Sequence, residues 1–238
     1  GESEAGERAA GDEIGEPAVA LLVGPVGEDR VDAQTHPRRE RDADGLVDAA
    51  ELLDRDAQRG EVGLDDAVDG LGGVDILVNN AGITRDMTFR KMTKADWDAV
   101  LRTNLDSVFN MTKQVIEDMI AKGWGRIINI SSVNGVKGQA GQTNYSTAKA
   151  GLHGFTMALA QEVATKGVTV NTVSPGYLDT KMVTSMSEEV VKQVIAGIPV
   201  GRLGRPEEIA ALVAFIVSES AGFMTGSNVS MNGGQHMY

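Results

Sequence analysis

The sequence lacks cysteine altogether, and aromatic residues make up only 4% of its 238 residues. Without cysteine, neither a disulfide framework nor a thiolate metal site can form, and we predict no bound metal. The chain also lacks an apolar run of the roughly twenty residues that a membrane helix needs, and its acidic N-terminus is unlike a secretory signal. We therefore expect a cytoplasmic protein with no membrane partner.

The excess of acidic over basic residues is confined to one part of the chain. Residues 1–73 hold 20 acidic residues and 7 arginines, a net charge of −13, whereas the remaining residues hold 14 acidic and 15 basic ones. The global net charge of −12 therefore describes only the first third of the sequence. Because no basic face is indicated, we expect no nucleic-acid partner.

Residues 1–73 are also atypical in composition, since they lack lysine, asparagine, methionine, phenylalanine, tyrosine and tryptophan. Within them, Val19–Val23 is typical of a core strand, and Leu46–Asp56 fits a short amphipathic helix. High net charge with few aromatic residues favours disorder, and an ordinary fold is the alternative that stays open. We therefore separate this acidic segment from residues 74–238.

From Val74 onward, apolar β-branched runs alternate with helical patterns. The runs predict strands over Val74–Val78, Ile127–Ile130, Val168–Val173 and Asn228–Met231. Helices are predicted from Thr93 to Gly123, from near Asn144, from Ser187, and from Pro206 to Ser218. This alternation is typical of a parallel sheet covered on both faces. We predict a single α/β domain with a doubly wound, Rossmann-like parallel sheet.

Polar and small residues follow three of the predicted strands, in the segments Asn79–Gly82, Ser131–Ser132 and Ser174–Gly176. Ligands of doubly wound sheets bind beyond the carboxyl ends of the strands. The binding site is therefore predicted at the edge where these three segments meet.

Ser132, Tyr145 and Lys149 form a candidate catalytic group at that edge. Tyr145 and Lys149 lie four residues apart on a predicted helix, so their side chains share one face. An ammonium about 4 Å from the phenol, at an effective dielectric of about 20, would lower the tyrosine pKa by about three units. Ser132 would then donate to a carbonyl oxygen as negative charge develops on it. The alternative is a core tyrosine beside a solvated lysine.

Together with Asn79–Gly82, Asn104, Pro175–Gly176 and Thr180, these three residues resemble the short-chain dehydrogenase/reductase family over residues 74–238. The resemblance implies that Tyr145 is the general acid and that Lys149 lowers its pKa and binds the ribose of the cofactor. It further implies that Ser132 polarises the substrate carbonyl and that Asn104 holds a water in a proton relay. It also implies that Pro175–Thr180 covers the nicotinamide as part of a lid.

The resemblance implies NADPH as the cofactor. Its binding residues would be Asn80, Ala81, Gly82, Ile83, Tyr145, Lys149, Pro175, Gly176, Leu178 and Thr180.

Within the family, Gly138–Tyr145 and the ending Asn232–Met237 are most similar to the branch that reduces acetoacetyl-CoA in polyhydroxybutyrate synthesis. This similarity implies a homotetramer and an acyl-CoA substrate bound by Asp86, Gln139, Gln142 and Tyr177. A 3-oxoacyl-carrier-protein reductase is the alternative, because it shares the catalytic residues. His153 is predicted to be a helix-surface residue without a catalytic role.

Residues 1–73 depart from the family pattern, because the Thr-Gly-x3-Gly-x-Gly motif that receives the cofactor pyrophosphate is missing. Val19–Gly27 is the nearest approximation to it. The composition of this segment is what a GC-rich coding region gives when read in a wrong frame. Two hypotheses stay open: a reductase whose first third folds in another way or carries a sequence error, and a cofactor-dead chain that acts as an interaction subunit.

Overall fold

The computed structural model describes residues 21–23, 46–48, 73–180, 183 and 187–237. Its strands are β1 (Leu21–Val23), β2 (Leu46–Asp48), β3 (Ile76–Asn79), β4 (Gly125–Ile130), β5 (Val168–Pro175) and β6 (Asn228–Met231). They form one sheet in the order β2-β1-β3-β4-β5-β6. Strands β3 to β6 pair in parallel, as the alternating pattern predicted.

The two N-terminal strands differ from the parallel part of the sheet. Strand β1 pairs antiparallel with both β2 and β3. The predicted helix over Leu46–Asp56 is wrong for Leu46–Asp48, since so short an apolar stretch fits a strand as well as a helix and pairing with β1 decides between them. The rest of that prediction, like the prediction of disorder for the acidic segment, lies outside the described residues.

The helices are α1 (Lys94–Leu101), α2 (Ser107–Lys122), α3 (Val133–Lys137), α4 (Thr143–Val163), α5 (Glu188–Ala196) and α6 (Pro206–Val217). The capping box at Thr93 is confirmed, because its side chain accepts from the backbone of Asp96. Helix α2 ends at Gly123 as predicted, in a left-handed conformation with φ of 70°. Between α1 and α2, however, Arg102–Asp106 forms a π-helical turn rather than a continuous α-helix.

Helices cover both faces of the sheet, as predicted for a doubly wound fold. Leu77 and Ile127 point to one face, where they pack against α2 and α4. Their strand neighbours Ile76 and Ile128 point to the other face and pack against α6. In the described part of the chain, none of the helices is both long and apolar enough to span a bilayer.

A chain of buried hydrogen bonds runs beneath the carboxyl ends of the strands. The amide of Asn79 on β3 donates to the Asn129 carbonyl oxygen on β4 at 2.9 Å, and the Asn129 amide donates to Thr156 Oγ1 on α4 at 2.8 Å. Thr156 Oγ1 in turn lies 2.7 Å from Thr172 Oγ1 on β5. All four residues are at most 5% exposed. These hydrogen bonds therefore fix three strand ends and helix α4, which lies between β4 and β5 in the sequence, in one arrangement.

Breaking this chain should cost more stability than the same substitution elsewhere on β5 or α4. Thr156→Val leaves the Asn129 amide and Thr172 without their partner, so we expect a loss of about 2 kcal/mol in unfolding free energy. The matched control is Thr169→Val, because the buried hydroxyl of Thr169 has no hydrogen-bond partner among the described residues. The unfolding free energy of that variant should lie within about 0.5 kcal/mol of the parent's value or exceed it. Urea denaturation of the three proteins measures both values, and equal losses in the two variants would contradict the account.

Candidate active site

The carboxyl ends of β3, β4 and β5 bring the predicted site segments to one edge of the sheet. The strand register places Asn79 opposite Asn129, and Asn129 opposite Thr172. Asn80 and Ser131 therefore leave the sheet within one residue of each other, whereas β5 continues beside β6 to Pro175. This agrees with the location predicted from the sequence.

Lys149 lies at the centre of this edge and is only 3% exposed. It sits on α4, and its Nζ donates to the carbonyl oxygen of Ile130, the last residue of β4, at 2.7 Å. Burial lowers the pKa of Lys149 from its ordinary value to about 8. The lysine is thus a cation held against a strand end, and it loses its charge at moderately alkaline pH.

Asn104 ties the segment after β3 to the helical layer. It lies in the π-helical turn and is fully buried. Its Oδ1 accepts from the Ile83 backbone N–H at 2.8 Å, and its Nδ2 donates to the Ile83 carbonyl at 2.9 Å. A Cβ added to Gly82 would lie 3.5 Å from Lys149 Nζ, so Asn104 holds this segment beside the lysine. Both polar groups of the Asn104 side chain are engaged in holding Ile83. The role of Asn104 in a proton relay stays a prediction.

The other two members of the candidate catalytic group are Ser132 and Tyr145. Ser132 caps α3, because its Oγ accepts from the backbone N–H of Asn134 at 3.1 Å. The Tyr145 ring centre is 5.9 Å from Lys149 Nζ. Burial is the largest influence on the Tyr145 pKa and raises it, while a hydrogen bond with Ser132 opposes that increase. The structure therefore brings the three predicted catalytic residues together.

The expected lowering of the Tyr145 pKa by Lys149 is not found in this arrangement. The sequence argument assumed an ammonium about 4 Å from the phenol in a moderately polar site. Instead the Lys149 amine lies 5.9 Å from the centre of the Tyr145 ring and donates to Ile130, and burial of the phenol is the largest influence on its pKa. Tyr145 consequently keeps its proton at neutral pH.

Two of the four residues predicted to bind substrate, Asp86 and Gln142, belong to a second hydrogen-bonded group. Gln142 donates to the Asp86 carboxylate at 2.7 Å and accepts from the Asn134 amide at 2.9 Å. Burial raises the pKa of Asp86, and the hydrogen bond with Gln142 opposes the rise. The side chain of Gln139 is not part of this group, since it accepts from the Lys137 amine at 3.1 Å on the exposed surface, although the Gln139 backbone carbonyl accepts from the Gln142 N–H at 3.0 Å. Sequence reasoning missed Asn134, which nevertheless lies two residues after Ser132.

Tyr177 forms the opposite wall of the site. Its backbone N–H donates to the side-chain oxygen of Gln235 at 2.9 Å, which fixes the segment after β5 against the C-terminal segment. Leu178 forms an isolated β-bridge with Gly204, and the Thr180 N–H donates to the Leu178 carbonyl. Pro175 and Gly176 lead from the strand into this segment. Sequence reasoning also missed Gln235.

A cavity of about 280 Å³ opens beside this wall, between the end of α3 and α5. Its lining residues are Lys137, Tyr177, Val190, Gln193, Val194, Gly197 and Gln235. The cavity is large enough for part of an extended ligand and presents amide groups on its polar side. In the described part of the chain, no cluster of three or more acidic or histidine side chains could hold a metal ion.

The prediction that His153 is a surface residue is wrong. It is half-buried, and its Nε2 lies 3.0 Å from Ser131 Oγ and 3.4 Å from Ser174 Oγ. The cause is its position on α4, one turn after Lys149, on the face that packs against the strand ends.

Comparison with known proteins finds one matching family model and several similar reductases. Residues 51–236 match the family model described as enoyl-(acyl carrier protein) reductase. The chain is 70% identical to an acetoacetyl-CoA reductase of Cupriavidus necator over 167 residues, which cover 70% of this chain and 68% of that protein. It is 46% identical to an acetoacetyl-CoA reductase of Acinetobacter sp. over 220 residues, or 92% of this chain and 88% of that protein. A 3-oxoacyl-acyl-carrier-protein reductase of Vibrio cholerae is 50% identical over 169 residues, or 71% of this chain and 69% of that protein.

The buried Lys149 predicts a distinctive dependence of stability on pH. Between its folded pKa of about 8 and its ordinary value of 10.5, the unfolded chain binds one more proton than the folded chain. Stability relative to a Lys149→Met variant should therefore rise with pH across this interval, by on the order of 3 kcal/mol. Urea unfolding of both proteins at several pH values measures the difference. A difference that stays constant or falls as the pH rises would contradict the assignment.

Proposed function

The chain belongs to the short-chain dehydrogenase/reductase family and is an oxidoreductase, and from this premise we propose that it reduces acetoacetyl-CoA to 3-hydroxybutyryl-CoA with NADPH. The observation that carries the proposal is the convergence of Ser132, Tyr145 and Lys149 at one strand edge. The high identity to a protein named acetoacetyl-CoA reductase supports the choice of substrate. In this proposal the reaction belongs to polyhydroxybutyrate synthesis.

In the proposed reaction, Tyr145 gives its proton to the substrate carbonyl oxygen. Its raised pKa keeps the phenol protonated at neutral pH, so the acid is in the form that reduction needs. The Ser132 hydroxyl donates a hydrogen bond to the same oxygen as negative charge develops. Lys149, which is charged below pH about 8, then stabilises the phenolate that Tyr145 leaves behind. A bound nicotinamide cofactor would supply the hydride.

The described residues fit the nicotinamide and ribose half of such a cofactor. Lys149 Nζ has three hydrogens and gives one of them to Ile130, which leaves donors for a ribose hydroxyl. Gly82 lies next to this amine without a side chain to cover it. In this proposal, the segments Asn80–Ile83 and Pro175–Thr180 would hold the cofactor from two sides.

The described residues do not fit the pyrophosphate half equally well. In dinucleotide-binding folds, the first strand ends at the site edge and is followed by a glycine-rich turn into a helix. Here β1 runs antiparallel to β3, so Val23 lies opposite Ile76, away from the edge that carries Asn80. Because no described strand supplies this cradle, we derive no step from pyrophosphate binding. The preference for NADPH over NADH rests on the family resemblance.

The acyl-CoA is proposed to lie between the Asp86–Gln142–Asn134 group and the wall formed by Tyr177. The cavity beside Tyr177 would take the part of the thioester that extends away from the carbonyl. We further propose a homotetramer, which would cover large apolar side chains that are exposed on the helices. Phe109 on α2, Met157 on α4 and Phe215 on α6 are 60%, 51% and 49% exposed.

Two alternatives to this proposal each have one observation in their support. The similarity to a 3-oxoacyl-acyl-carrier-protein reductase favours a carrier-protein thioester as the substrate. The antiparallel β1 favours a cofactor-dead chain that keeps the reductase fold as an interaction subunit. Loss of nicotinamide absorbance on mixing the protein with NADPH and acetoacetyl-CoA separates an enzyme from an inactive chain.

The catalytic assignment predicts large losses from small changes. Tyr145→Phe removes the proton donor, and we expect kcat to fall by at least about 10²-fold. Ser132→Ala removes a donor to the developing oxyanion and should cost about as much. The matched control is Ser146→Ala, because the buried Ser146 hydroxyl has no hydrogen-bond partner among the described residues. Steady-state kinetics should show the control within about twofold of the parent, and a folded, fully active Tyr145→Phe protein would refute the assignment.

The choice of thioester gives a second prediction. If the site is built for acyl-CoA, kcat/KM should be at least about tenfold higher for acetoacetyl-CoA than for the acetoacetyl carrier protein, equivalent to about 1.4 kcal/mol. Longer 3-oxoacyl-CoA chains should be reduced less efficiently. Competition of the two thioesters in one reaction, with the products separated by mass, measures the preference. A clear preference for the carrier protein would replace the proposed substrate with the alternative.

A further inference from the structure

His153 takes no part in the proposed reaction, yet its side chain is directed at the strand ends that form the site. It lies one turn after Lys149 on α4. Its Nε2 is 3.0 Å from the hydroxyl of Ser131, the residue directly before Ser132, and 3.4 Å from the hydroxyl of Ser174 at the end of β5. Ser131 and Ser174 are 4% and 0% exposed.

The hydrogen bonds of the two serines determine which atom carries the proton. Ser131 Oγ donates its single hydrogen to the Lys149 backbone carbonyl at 2.8 Å, which can only accept. Ser174 Oγ donates its hydrogen to Asn228 Oδ1 at 2.6 Å. Both hydroxyl oxygens are therefore left as acceptors toward His153, and its Nε2 must be the donor. Burial lowers the pKa of His153, so the ring is neutral at pH 7 and carries its proton on Nε2.

The result is a directed chain from the His153 ring through the Ser131 hydroxyl to the Lys149 carbonyl. The chain returns to the backbone of the lysine whose side chain binds Ile130. There is little free space around it, because a Cβ added to Gly135 would lie 2.9 Å from both Ser131 Oγ and Lys149 Cβ. A change in this hydrogen-bond chain would therefore alter the spacing between the helix that carries Tyr145 and the strand end that carries Ser132.

We propose that His153 is a positioning residue of the reaction: its Nε2–H orients the Ser131 hydroxyl, which holds the Lys149 backbone, and so sets the distance between Ser132 and the Tyr145–Lys149 pair. This inference rests on the proposed function for its effect on turnover, although the hydrogen-bond chain itself does not. A misplacement of catalytic groups by a fraction of an ångström reduces the rate of the chemical step more than it reduces substrate binding. The effect should therefore fall on kcat rather than on KM.

The kinetic test uses one disrupting and one conservative variant. His153→Leu removes the donor and should lower kcat for acetoacetyl-CoA by about three- to tenfold, with KM within about twofold, as expected for one lost hydrogen bond. His153→Gln places an amide N–H the same number of bonds from Cα as Nε2, and should restore kcat to within about twofold of the parent. An unchanged kcat in His153→Leu, or no recovery in His153→Gln, would overturn the proposal.

A double-mutant cycle tests whether His153 acts through Ser131. In a Ser131→Ala background the hydrogen-bond chain is already interrupted. His153→Leu should therefore cause no further decrease in kcat or in the melting temperature. Equal losses with and without Ser131 would show that His153 has only a general packing role. This cycle is read on thermal stability as well as on turnover, so it also decides the case in which the protein does not reduce acetoacetyl-CoA.

The tautomer gives a measurement that does not depend on activity. Nitrogen-15 spectra of the histidine-labelled protein should show the His153 ring protonated on Nε2 at pH 7, with the signals assigned by their loss in His153→Gln. Ser131→Ala should shift these signals. A ring protonated on Nδ1 would refute the inferred chain, whereas an inactive protein with the Nε2–H tautomer would refute the proposed function alone.

Discussion

The buried hydrogen-bond chain of Asn79, Asn129, Thr156 and Thr172 is the constraint on which the site depends. Parallel strands have no short turns between them, so their carboxyl ends are aligned only by pairing and by side chains packed against them. Here each strand end contributes one polar side chain to a chain that also includes α4. Because an unpaired buried polar group is costly, the three strand ends cannot shift independently of one another. The segments that follow them inherit this alignment.

Next to this hydrogen-bond chain, burial shifts the pKa values of the two central ionisable groups in opposite directions. It raises the pKa of the Tyr145 phenol and lowers the pKa of the Lys149 amine, because in both cases the charged form is the one that loses solvation. An acid that keeps its proton, next to a cation that can stabilise the anion formed afterwards, suits reduction of a carbonyl more than its reverse. The Ile130 carbonyl holds the amine in this position through a single strong hydrogen bond.

Much of this arrangement follows from local sequence signals. Parallel β3 to β6, the capping box at Thr93 and the end of α2 at Gly123 were predicted because apolar period, cap chemistry and glycine act over a few residues. The π-helical turn that carries Asn104 was not, since the Asn104 side chain makes its hydrogen bonds with Ile83, 21 residues earlier in the sequence. The roles of His153 and Asn134 likewise arise from contacts across the fold. The antiparallel direction of β1 also depends on tertiary pairing, which three apolar residues do not encode.

Transfer of a labelled hydride tests the central claim most directly, namely that this strand edge reduces a 3-oxoacyl thioester. The full chain would be incubated with acetoacetyl-CoA and NADPH that carries deuterium on one face or the other of the reactive nicotinamide carbon. The account predicts that deuterium from one face alone appears on C3 of 3-hydroxybutyryl-CoA, because the proposed binding between Asn80–Ile83 and Pro175–Thr180 would hold the cofactor in one orientation. A folded protein that yields no deuterated product from either cofactor would contradict it.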